Sequence, residues 1–423
     1  MLEKVYSGLP FFYNWDENKP GIISCHVKLK EAIDCRILEA AVNEALEIHK
    51  HFKVRLVIDN NNVYYEYNDK LAKVYEGIEH NFSLIRDTQD YLFAFRVTDE
   101  MVYLDVFHLL SDGDGVMAFS KTVILLYFSK VYADKEDWGA LIEKRIKQYD
   151  GERQKIDPYT VDKVAHREAK REQAEIPEFL QLYDEGDEEH FISMKWNCEV
   201  FAQNPQVGGV SPYVLVNVLL GNVIEQQCPD DGCIGAYMPI NMRKRIGLRD
   251  SMYNCLSYTN VKHVKKVHGM SLEEQCREYT NSLKFHYGLD NSLYIMSEDA
   301  KFIDIMQNEK LSISRKCGIV RGITRRTKCM RGTFGMSYIQ FCNEEEVYKR
   351  YMDALTVCPP NSGIGIVCEM FKIGDEINLC VRYGKKQEDV IWLLIQKMND
   401  LGMNVDVQEV KDINTKIAID LLK

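Results

Sequence analysis

The segment from Met101 to Tyr132 constrains the fold most, because a buried strand is followed within a few residues by a buried helix. Alternation along Met101–His108 places four side chains on one face of a strand, namely Val102, Leu104, Val106 and His108. A helix is predicted from Val116 to about Tyr132, and it is apolar on most sides. The segment therefore predicts the core of a mixed α/β unit.

The residues before this segment predict one amphipathic helix and several strands. The helix should begin at the N-cap Asp34 and run to His49, with apolar residues recurring on one face. Extended runs are expected at Lys53–Ile58, Val63–Tyr67 and Tyr91–Thr98. Because only Asp99-Glu100 separates the last run from Met101–His108, these two strands should form a hairpin.

The second half of the chain restarts with the same kinds of element. Ser211-Pro212 is predicted to open a helix, with proline at the first helical position. Ser271 and Glu274 form a capping box that leads a helix towards Tyr287. The remaining expected elements are strands at Cys233–Ile240, Met336–Phe341, Gly365–Phe371 and Ile377–Tyr383, and a last helix near Glu388–Leu401.

The length of the chain, 423 residues, is too great for one small core. Since each half shows a helix followed by strands, we expect an α/β fold of two mixed α+β sandwiches, residues 1–165 and 196–423. Residues 166–195 lie in a highly charged stretch and are expected to be a crossover or linker. For the middle of that stretch, the solvated face of a longer helical domain is an equal alternative.

The charge and the cysteine pattern exclude several functions. The net charge is −11, from 64 acidic and 53 basic side chains, which argues against a nucleic-acid partner. The 13 cysteines include no CxxC pair, and His49 and His51 lack a third ligand, so no metal site is expected. The start of the chain lacks the features of a secretory signal, and Val116–Phe128 is too short to span a membrane. We expect a reduced, cytoplasmic protein.

The end of the Met101–His108 strand is the best candidate for chemistry. A histidine leaving an apolar strand face can be held by packing and act as a base near its usual pKa of about 6.5. Gly113 permits the tight turn into the following helix, and Asp112 is placed for an ion pair that would pin that turn. The alternative is a satisfied core histidine, which is the more frequent outcome for a histidine on an apolar face.

The HxxxDG pattern, from His108 to Gly113 in FHLLSDG, resembles the superfamily of chloramphenicol acetyltransferase, nonribosomal peptide condensation domains, BAHD acyltransferases and bacterial alcohol acetyltransferases. Weaker resemblances follow in the family's order and spacing. They are ALEIHKHFKVRL, VSPYVLVNVLL, the MPINMR segment ending at Arg243, and TFGMSYIQF.

The resemblance implies a V-shaped pair of chloramphenicol-acetyltransferase-like subdomains with the active site in a tunnel between them. It implies that His108 is a general base, which deprotonates a hydroxyl or amine as that group attacks a thioester, without a covalent enzyme intermediate. It also implies no permanently bound cofactor, acyl-CoA as co-substrate, and a monomer. An acyl carrier protein is the alternative source of the acyl group.

In this family Asp112 would be structural and would hold its loop through an arginine. In condensation domains that arginine lies in a segment matching Phe52–Leu56, where this chain has Lys53 at the usual position and Arg55 two residues on. Arg55 could substitute, and which arginine pairs with Asp112 stays open at this point. Phe107 stands where condensation domains have a second histidine, which fits the acetyltransferase branches better.

The tetrahedral intermediate of acyl transfer needs a hydrogen-bond donor for its oxyanion. Family members supply a serine, threonine or asparagine from the second half, or backbone amides. Ser337 is the first candidate and Thr333 the second, with an ordinary strand serine as the alternative interpretation of Ser337. Three further residues are expected to line the same cleft, namely Asn254, Tyr258 and Asn260.

A basic segment without acidic residues precedes Thr333 and is expected to be a loop. Its cations are Arg315, Lys316, Arg321, Arg325, Arg326, Lys328 and Arg331. Guanidinium groups bind phosphates bidentately, so the segment could bind the phosphates of coenzyme A or an acidic carrier protein. A merely solvated loop is the alternative, and a weaker basic patch is formed by Arg243, Lys244, Arg245 and Arg249.

Three functions follow from these residues. The first is an acyl-CoA-dependent O- or N-acyltransferase, and the second a standalone condensation-type domain that uses carrier-bound acyl groups. The third is a non-catalytic member that binds an acyl ligand or a protein partner.

Overall fold

The computed structural model describes residues 2–15, 21–77, 82–149, 151–165, 177–183, 188–207, 209–228, 232–327, 331–339, 345–360, 363–412 and 418–419. The strands before residue 166 are β1 (Leu2–Lys4), β2 (Ile22–Leu29), β3 (Val54–Asp59), β4 (Asn62–Tyr67), β5 (Val74–Glu76), β6 (Ser83–Leu84), β7 (Phe93–Val97) and β8 (Met101–Phe107). The helices of the same region are α1 (Leu9–Tyr13), α2 (Cys35–Ile48), α3 (Gly113–Val131), α4 (Trp138–Tyr149) and α5 (Asp162–Ala165).

The strands after residue 176 are β9 (Glu189–Asn197), β10 (Gly235–Asn241), β11 (Leu256–Lys262), β12 (Phe334–Ile339), β13 (Met352–Cys358), β14 (Ile366–Ile373), β15 (Glu376–Gly384), β16 (Asp406–Asp412) and β17 (Ala418–Ile419). The helices of this region are α6 (Cys198–Ala202), α7 (Pro212–Gln227), α8 (Arg243–Ile246), α9 (Leu272–His286), α10 (Leu289–Met306), α11 (Ile313–Arg326), α12 (Glu345–Tyr351) and α13 (Glu388–Asp400).

Two large sheets organise the described residues. The first sheet has the strand order β13-β2-β8-β7-β5 and packs against α2 and α3. The second sheet has the order β11-β10-β12-β14-β15-β9-β16, with β12 parallel to both β10 and β14. A separate sheet, β1-β4-β3, and a pair, β17-β6, complete the strand pairing. The protein is therefore a mixed α/β molecule with one large sheet in each half, as the sequence predicts.

The helices that were predicted from capping and periodicity are confirmed. The Asp34 side chain caps α2 by accepting from the backbone N–H groups of Arg36 and Ile37 at 2.9 and 3.0 Å. Ser271 and Glu274 form the reciprocal capping box of α9. The predicted hairpin is present as the antiparallel pair β7 and β8.

The two faces of the second sheet have different neighbours. Alternate side chains, among them Met238, Met336 and Met370, join a core with α7 and α13. Side chains of the opposite face, Ile339 and Phe371, belong instead to the core of the first half. The opposite face of the second sheet is therefore turned towards the first half of the chain.

Two expectations about organisation need correction or addition. The basic segment was expected to be a loop, but residues 313–326 form the helix α11 with Ser312 as its N-cap. The predicted linker, residues 166–195, lies partly outside the described residues, and β9 already begins within it at Glu189. The proposed division into halves stays a prediction, although β13 crosses from the second half to pair with β2 of the first sheet.

Among the described residues, no helix combines the length and apolarity that crossing a membrane requires.

Candidate active site

His108 follows the last residue of β8 and is packed on one ring face. Its imidazole stacks on the Phe11 ring at a centroid distance of 3.8 Å and an interplanar angle of 13°. The residue is 8% exposed, and its Nδ1 is buried without a hydrogen-bond partner. Burial lowers the pKa of His108 below its usual 6.5, although Asp112 and Asn254 oppose this shift. The ring is therefore neutral at pH 7, as a general base must be.

Side chains contact the backbone carbonyl oxygens of His108, Leu109 and Leu110. Asn254 donates from Nδ2 to the carbonyl oxygens of His108 and Leu109, at 2.9 and 3.3 Å. The Tyr65 hydroxyl donates to the same Leu109 oxygen at 2.9 Å. His51 Nε2 lies 2.7 Å from the Leu110 oxygen. These contacts fix the turn that carries His108.

Asp112 is buried and fully engaged. As N-cap of α3 it accepts from Gly115 N at 3.1 Å, and it also accepts from Cys255 N at 2.9 Å. Arg243 donates to both of its carboxylate oxygens, at 2.8 and 2.7 Å. The same guanidinium donates to the carbonyl oxygens of Ser251 and Tyr253, at 2.7 Å each.

The possible substitute Arg55 does not pair with Asp112, and neither does Lys53. Arg55 pairs with Glu66 on the neighbouring strand β4 at 2.6 Å, and Lys53 pairs with Glu47. The true partner, Arg243, closes the MPINMR segment at the end of β10, more than a hundred residues along the chain. The ion pair therefore ties the HxxxDG turn of the first half to the second half.

The two glycines of the turn are required by close packing. A Cβ atom on Gly113 would lie 3.1 Å from the Ile339 side chain of β12. A Cβ atom on Gly115 would lie 2.0 Å from Ser111 Oγ, which itself donates to the Met252 carbonyl at 2.5 Å. These contacts press the start of α3 directly against the second sheet.

Ser337 lies on the face of β12 that is turned towards the first half. Its Cα pairs in parallel register with Glu369 of β14, and their side chains interact. Ser337 is half-buried, and the neighbouring Ile339 on the same face contacts Gly113. The strand therefore brings Ser337 to the sheet surface beside the HxxxDG turn.

The other predicted cleft residues have structural partners. Thr333 is buried, and its hydroxyl accepts from Gly235 N at 3.2 Å, which fixes the start of β12 beside β10. Asn260 accepts from Gly332 N at 3.0 Å. Tyr258 reaches Asp299 of α10 at 3.4 Å. Asn254 is the one of the four that contacts the His108 turn directly.

Glu369 is a residue that sequence reasoning missed. Burial raises its pKa from 4.5 to about 8, and Asp114 adds to the rise while the Ser337 hydroxyl opposes it. Its Oε2 is buried without a hydrogen-bond partner. A carboxyl group inside an apolar strand, as in GIVCEMF, was the one available signal.

Asp114, the second residue of α3, is a further carboxyl group in this region. Burial and the neighbouring Asp112 raise its pKa from 3.8 to about 6, against the opposing effect of Arg243. Its Oδ2 accepts from Asn241 Nδ2 of β10 at 2.8 Å. The carboxyl group of Asp114 therefore links the start of α3 to the second sheet, where it contacts Asn241 and raises the pKa of Glu369.

The predicted phosphate-binding cations fall into two groups, because α11 turns some of them into the protein and leaves others exposed. Lys316 is buried, and its ammonium donates to Asn61 O and Asn62 Oδ1 at 2.6 and 2.8 Å. This corrects its assignment as a cofactor ligand, because its donors are used inside the protein. Arg321 donates to Trp15 O at 2.6 Å.

Three cations of α11 remain on its exposed side, namely Arg315, Arg325 and Arg326. Lys328 lies outside the described residues, and Arg331 is half-buried at the start of the segment leading into β12.

Within the described part of the chain, no group of three or more histidine, cysteine, aspartate or glutamate residues could hold a metal ion.

Comparisons with known proteins identify the fold. No protein-family model matches the chain, and no curated protein matches it. Among solved structures, it is similar to a mutant starter condensation domain of rhizomide synthetase RzmA in complex with C8-CoA and Leu-SNAC, with a TM-score of 0.56, 9% identity, and 96% of this chain and 98% of that chain covered.

Two further solved structures are similar over nearly the whole of both chains. The condensation domain of the Monacolin K polyketide synthase MokA gives a TM-score of 0.59 at 9% identity, covering 95% of this chain and 96% of its own. TRI3 trichothecene 15-O-acetyltransferase from Fusarium sporotrichioides gives 0.59 at 11% identity, covering 94% of each chain. The chain therefore has the fold that these condensation domains and this acetyltransferase share.

Proposed function

We propose that the protein is an acyltransferase, which moves an acyl group from a thioester to a hydroxyl or amine acceptor with His108 as general base. The observation that carries this proposal is the support of the His108 turn. A buried, neutral histidine is held from the second half by Asn254 and, through Asp112, by Arg243. These partners hold the backbone of the turn, so residues of the second half of the chain set the position of the imidazole.

The proposed reaction needs three groups. His108 takes the proton of the acceptor as its oxygen or nitrogen attacks the thioester carbonyl, and later gives a proton to the leaving thiolate. Because Nδ1 is buried, we assign this exchange to Nε2. Ser337 is proposed to donate a hydrogen bond to the oxyanion of the tetrahedral intermediate. Asp112 accepts hydrogen bonds from Arg243 and two backbone N–H groups and holds the turn, so we give it no part in the proton transfer.

Acyl-CoA is the proposed donor. A structurally similar condensation domain was crystallised with C8-CoA, which makes this donor compatible with the fold. On this chain, Arg315, Arg325 and Arg326 present exposed guanidinium groups, a residue type that binds phosphates bidentately. We place the cofactor phosphates on this side of α11 and exclude Lys316 from the set.

A carrier-bound donor is the second candidate, favoured by the same exposed arginines, because carrier proteins present acidic surfaces. Both candidates are tested by measuring free thiol after mixing the protein with acetyl-CoA or octanoyl-CoA and a panel of alcohols and amines. The proposal expects acceptor-dependent thiol release. Release only from an acyl group loaded on a carrier protein would select the second candidate. No release from either donor, with acceptors of both classes, would contradict acyl transfer.

A further inference from the structure

Glu369 is a half-buried residue whose Oε2 atom is buried, and the mechanism above does not use it. Its neighbours in sequence, Cys368 and Met370, point into the core beneath α7 and α13. The Glu369 side chain therefore lies on the opposite face of β14, which is turned towards the first half. Across the strand pair it lies beside Ser337, the proposed oxyanion donor.

Among the described residues, no cation acts directly on the Glu369 carboxyl group. The groups that act on it are the Ser337 hydroxyl and the Asp114 carboxyl, and on its other side its register partner is Cys380 of β15. Among the described residues, Glu369 forms no ion pair, and its Oε2 has no hydrogen-bond partner. A desolvated carboxylate without a cation is costly, so Glu369 favours its neutral form until a cation binds beside it.

We propose that the acyl acceptor is a primary amine that enters as an ammonium ion, and that Glu369 binds this ion and removes its first proton. This inference rests on the proposed acyl transfer and identifies the acceptor class. It also makes Glu369 a second catalytic base, because the group would contact the reacting nitrogen.

The chemistry of an ammonium acceptor requires two bases. An alkylammonium ion has no lone pair, so it loses one proton before the attack and a second as the C–N bond forms. Glu369 accepts the first proton, and the N–H electron pair stays on nitrogen. His108 accepts the second as nitrogen attacks the carbonyl carbon and the C=O π pair moves to oxygen.

The collapse of the intermediate completes the balance. The oxyanion pair re-forms the C=O bond, the C–S bond breaks, and the thiolate takes the proton from His108. The products are an amide, a free thiol and a proton that Glu369 returns to solvent. An alcohol loses only one proton and would leave Glu369 without a role.

The pKa of Glu369 supports this assignment. Its raised value, about 8, is close to the pKa of an α-amino group, about 8. Proton transfer between two such groups costs little free energy. An ammonium ion bound beside the carboxyl group favours its ionised form, which is the form that accepts the proton.

The test uses two acceptors of the same shape, phenylalanine amide and its 2-hydroxy analogue, with acetyl-CoA and octanoyl-CoA as donors. The wild-type protein should release thiol faster with the amine. Glu369→Gln should lower that rate about tenfold or more at pH 7. It should recover near pH 9, where the free amine is already neutral, and the rate with the hydroxyl analogue should fall by a smaller factor than the rate with the amine at pH 7. Glu369→Asp, which keeps the carboxyl group, should retain part of the amine preference.

A binding experiment separates failure of this inference from failure of the proposed function. Phenylalanine amide hydrochloride should raise the melting temperature of the wild-type protein but not that of Glu369→Gln. If that difference is present but neither acceptor releases thiol, the ammonium site stands and acyl transfer fails. The inference is overturned if Glu369→Gln affects both acceptors equally at every pH, or if the amine stabilises both proteins equally.

Discussion

Asp112 is a buried residue and Glu369 a half-buried one, and their carboxyl groups differ in their partners. Asp112 receives hydrogen bonds from two guanidinium nitrogens and two backbone N–H groups. Glu369 has one hydroxyl neighbour, a carboxyl group nearby, and an Oε2 atom without a partner. A carboxylate whose hydrogen-bonding capacity is filled by the protein holds the site together, whereas a carboxyl group with an unused oxygen is available to a ligand.

The largest effect should come from removing the ion pair between Arg243 and Asp112. Arg243→Ala leaves Asp112 as a buried charge without a counterion, so the free energy of unfolding should fall by about 3–5 kcal/mol. Urea denaturation measures this loss. Arg55→Ala is the matched control, because it removes the exposed pair with Glu66 and should cost at most about 1 kcal/mol. Equal losses in the two variants would show that the Asp112 pair is no more than a surface contact.

Glu369→Gln should not destabilise the protein as Arg243→Ala does. Its stability relative to the wild type should instead increase with pH in the same unfolding experiment. Because the folded-state pKa of Glu369 is raised from 4.5 to about 8, the folded protein binds this proton more tightly than the unfolded chain. The stability of the wild-type protein therefore falls, through this group, as the pH rises from about 4.5 to about 8.

The amide cannot ionise, so the stability of Glu369→Gln relative to the wild type should increase with pH across that window. Asp157 and Asp299 also have raised pKa values, but they are present in both proteins and cancel in the difference. A difference in unfolding free energy that stays constant with pH would mean that Glu369 is ionised in the folded protein.

Substitution of Asn254 shows whether the hydrogen bonds that hold the HxxxDG turn also position His108. Asn254→Ala removes the hydrogen bonds to the His108 and Leu109 carbonyls, which should cost about 1–3 kcal/mol of stability. It should also lower kcat more than it raises KM, because the turn that aims His108 is loosened. Steady-state kinetics gives this split. An unchanged kcat in the folded variant would show that the turn is held without Asn254.

The smallest effect on stability is expected on the exposed side of α11. Arg325→Ala combined with Arg326→Ala should change the free energy of unfolding by about 0.5 kcal/mol or less, because both side chains are exposed. It should raise KM for acyl-CoA severalfold, and the increase should shrink at high salt. On the same helix, Lys316→Met should destabilise the protein. A KM that does not respond to the double substitution would move the cofactor phosphates elsewhere.

Much of the fold was predictable because its signals are local. Asp34, Ser271 and the alternation of Met101–His108 each act within a few residues, and each predicted element is present. The strand β2 was not predicted, although it lies between β13 and β8 in the first sheet. Its position depends on a partner from the far end of the chain, which no local pattern encodes.

The candidate site was predictable only where one motif contained it. The HxxxDG pattern made His108 and Asp112 the candidates, but the sequence suggested only Arg55 as a possible partner of Asp112, and the partner is Arg243. Lys316 appeared equivalent to its basic neighbours until the helix turned it inward. Glu369 has no motif, and its character comes from burial and from the register with Ser337. Long-range pairing decides these roles, so sequence periodicity could not reveal them.

The most direct test of the account is the rate of thiol release by His108→Ala, with an acyl-CoA and an acceptor that the wild-type protein uses. We expect a decrease of about a hundredfold or more, because His108 is the proposed base for the proton that the acceptor loses as it attacks the thioester. The matched control is His268→Ala, which removes an exposed histidine and should keep the wild-type rate. A folded His108→Ala protein that retains the wild-type rate would contradict the central claim.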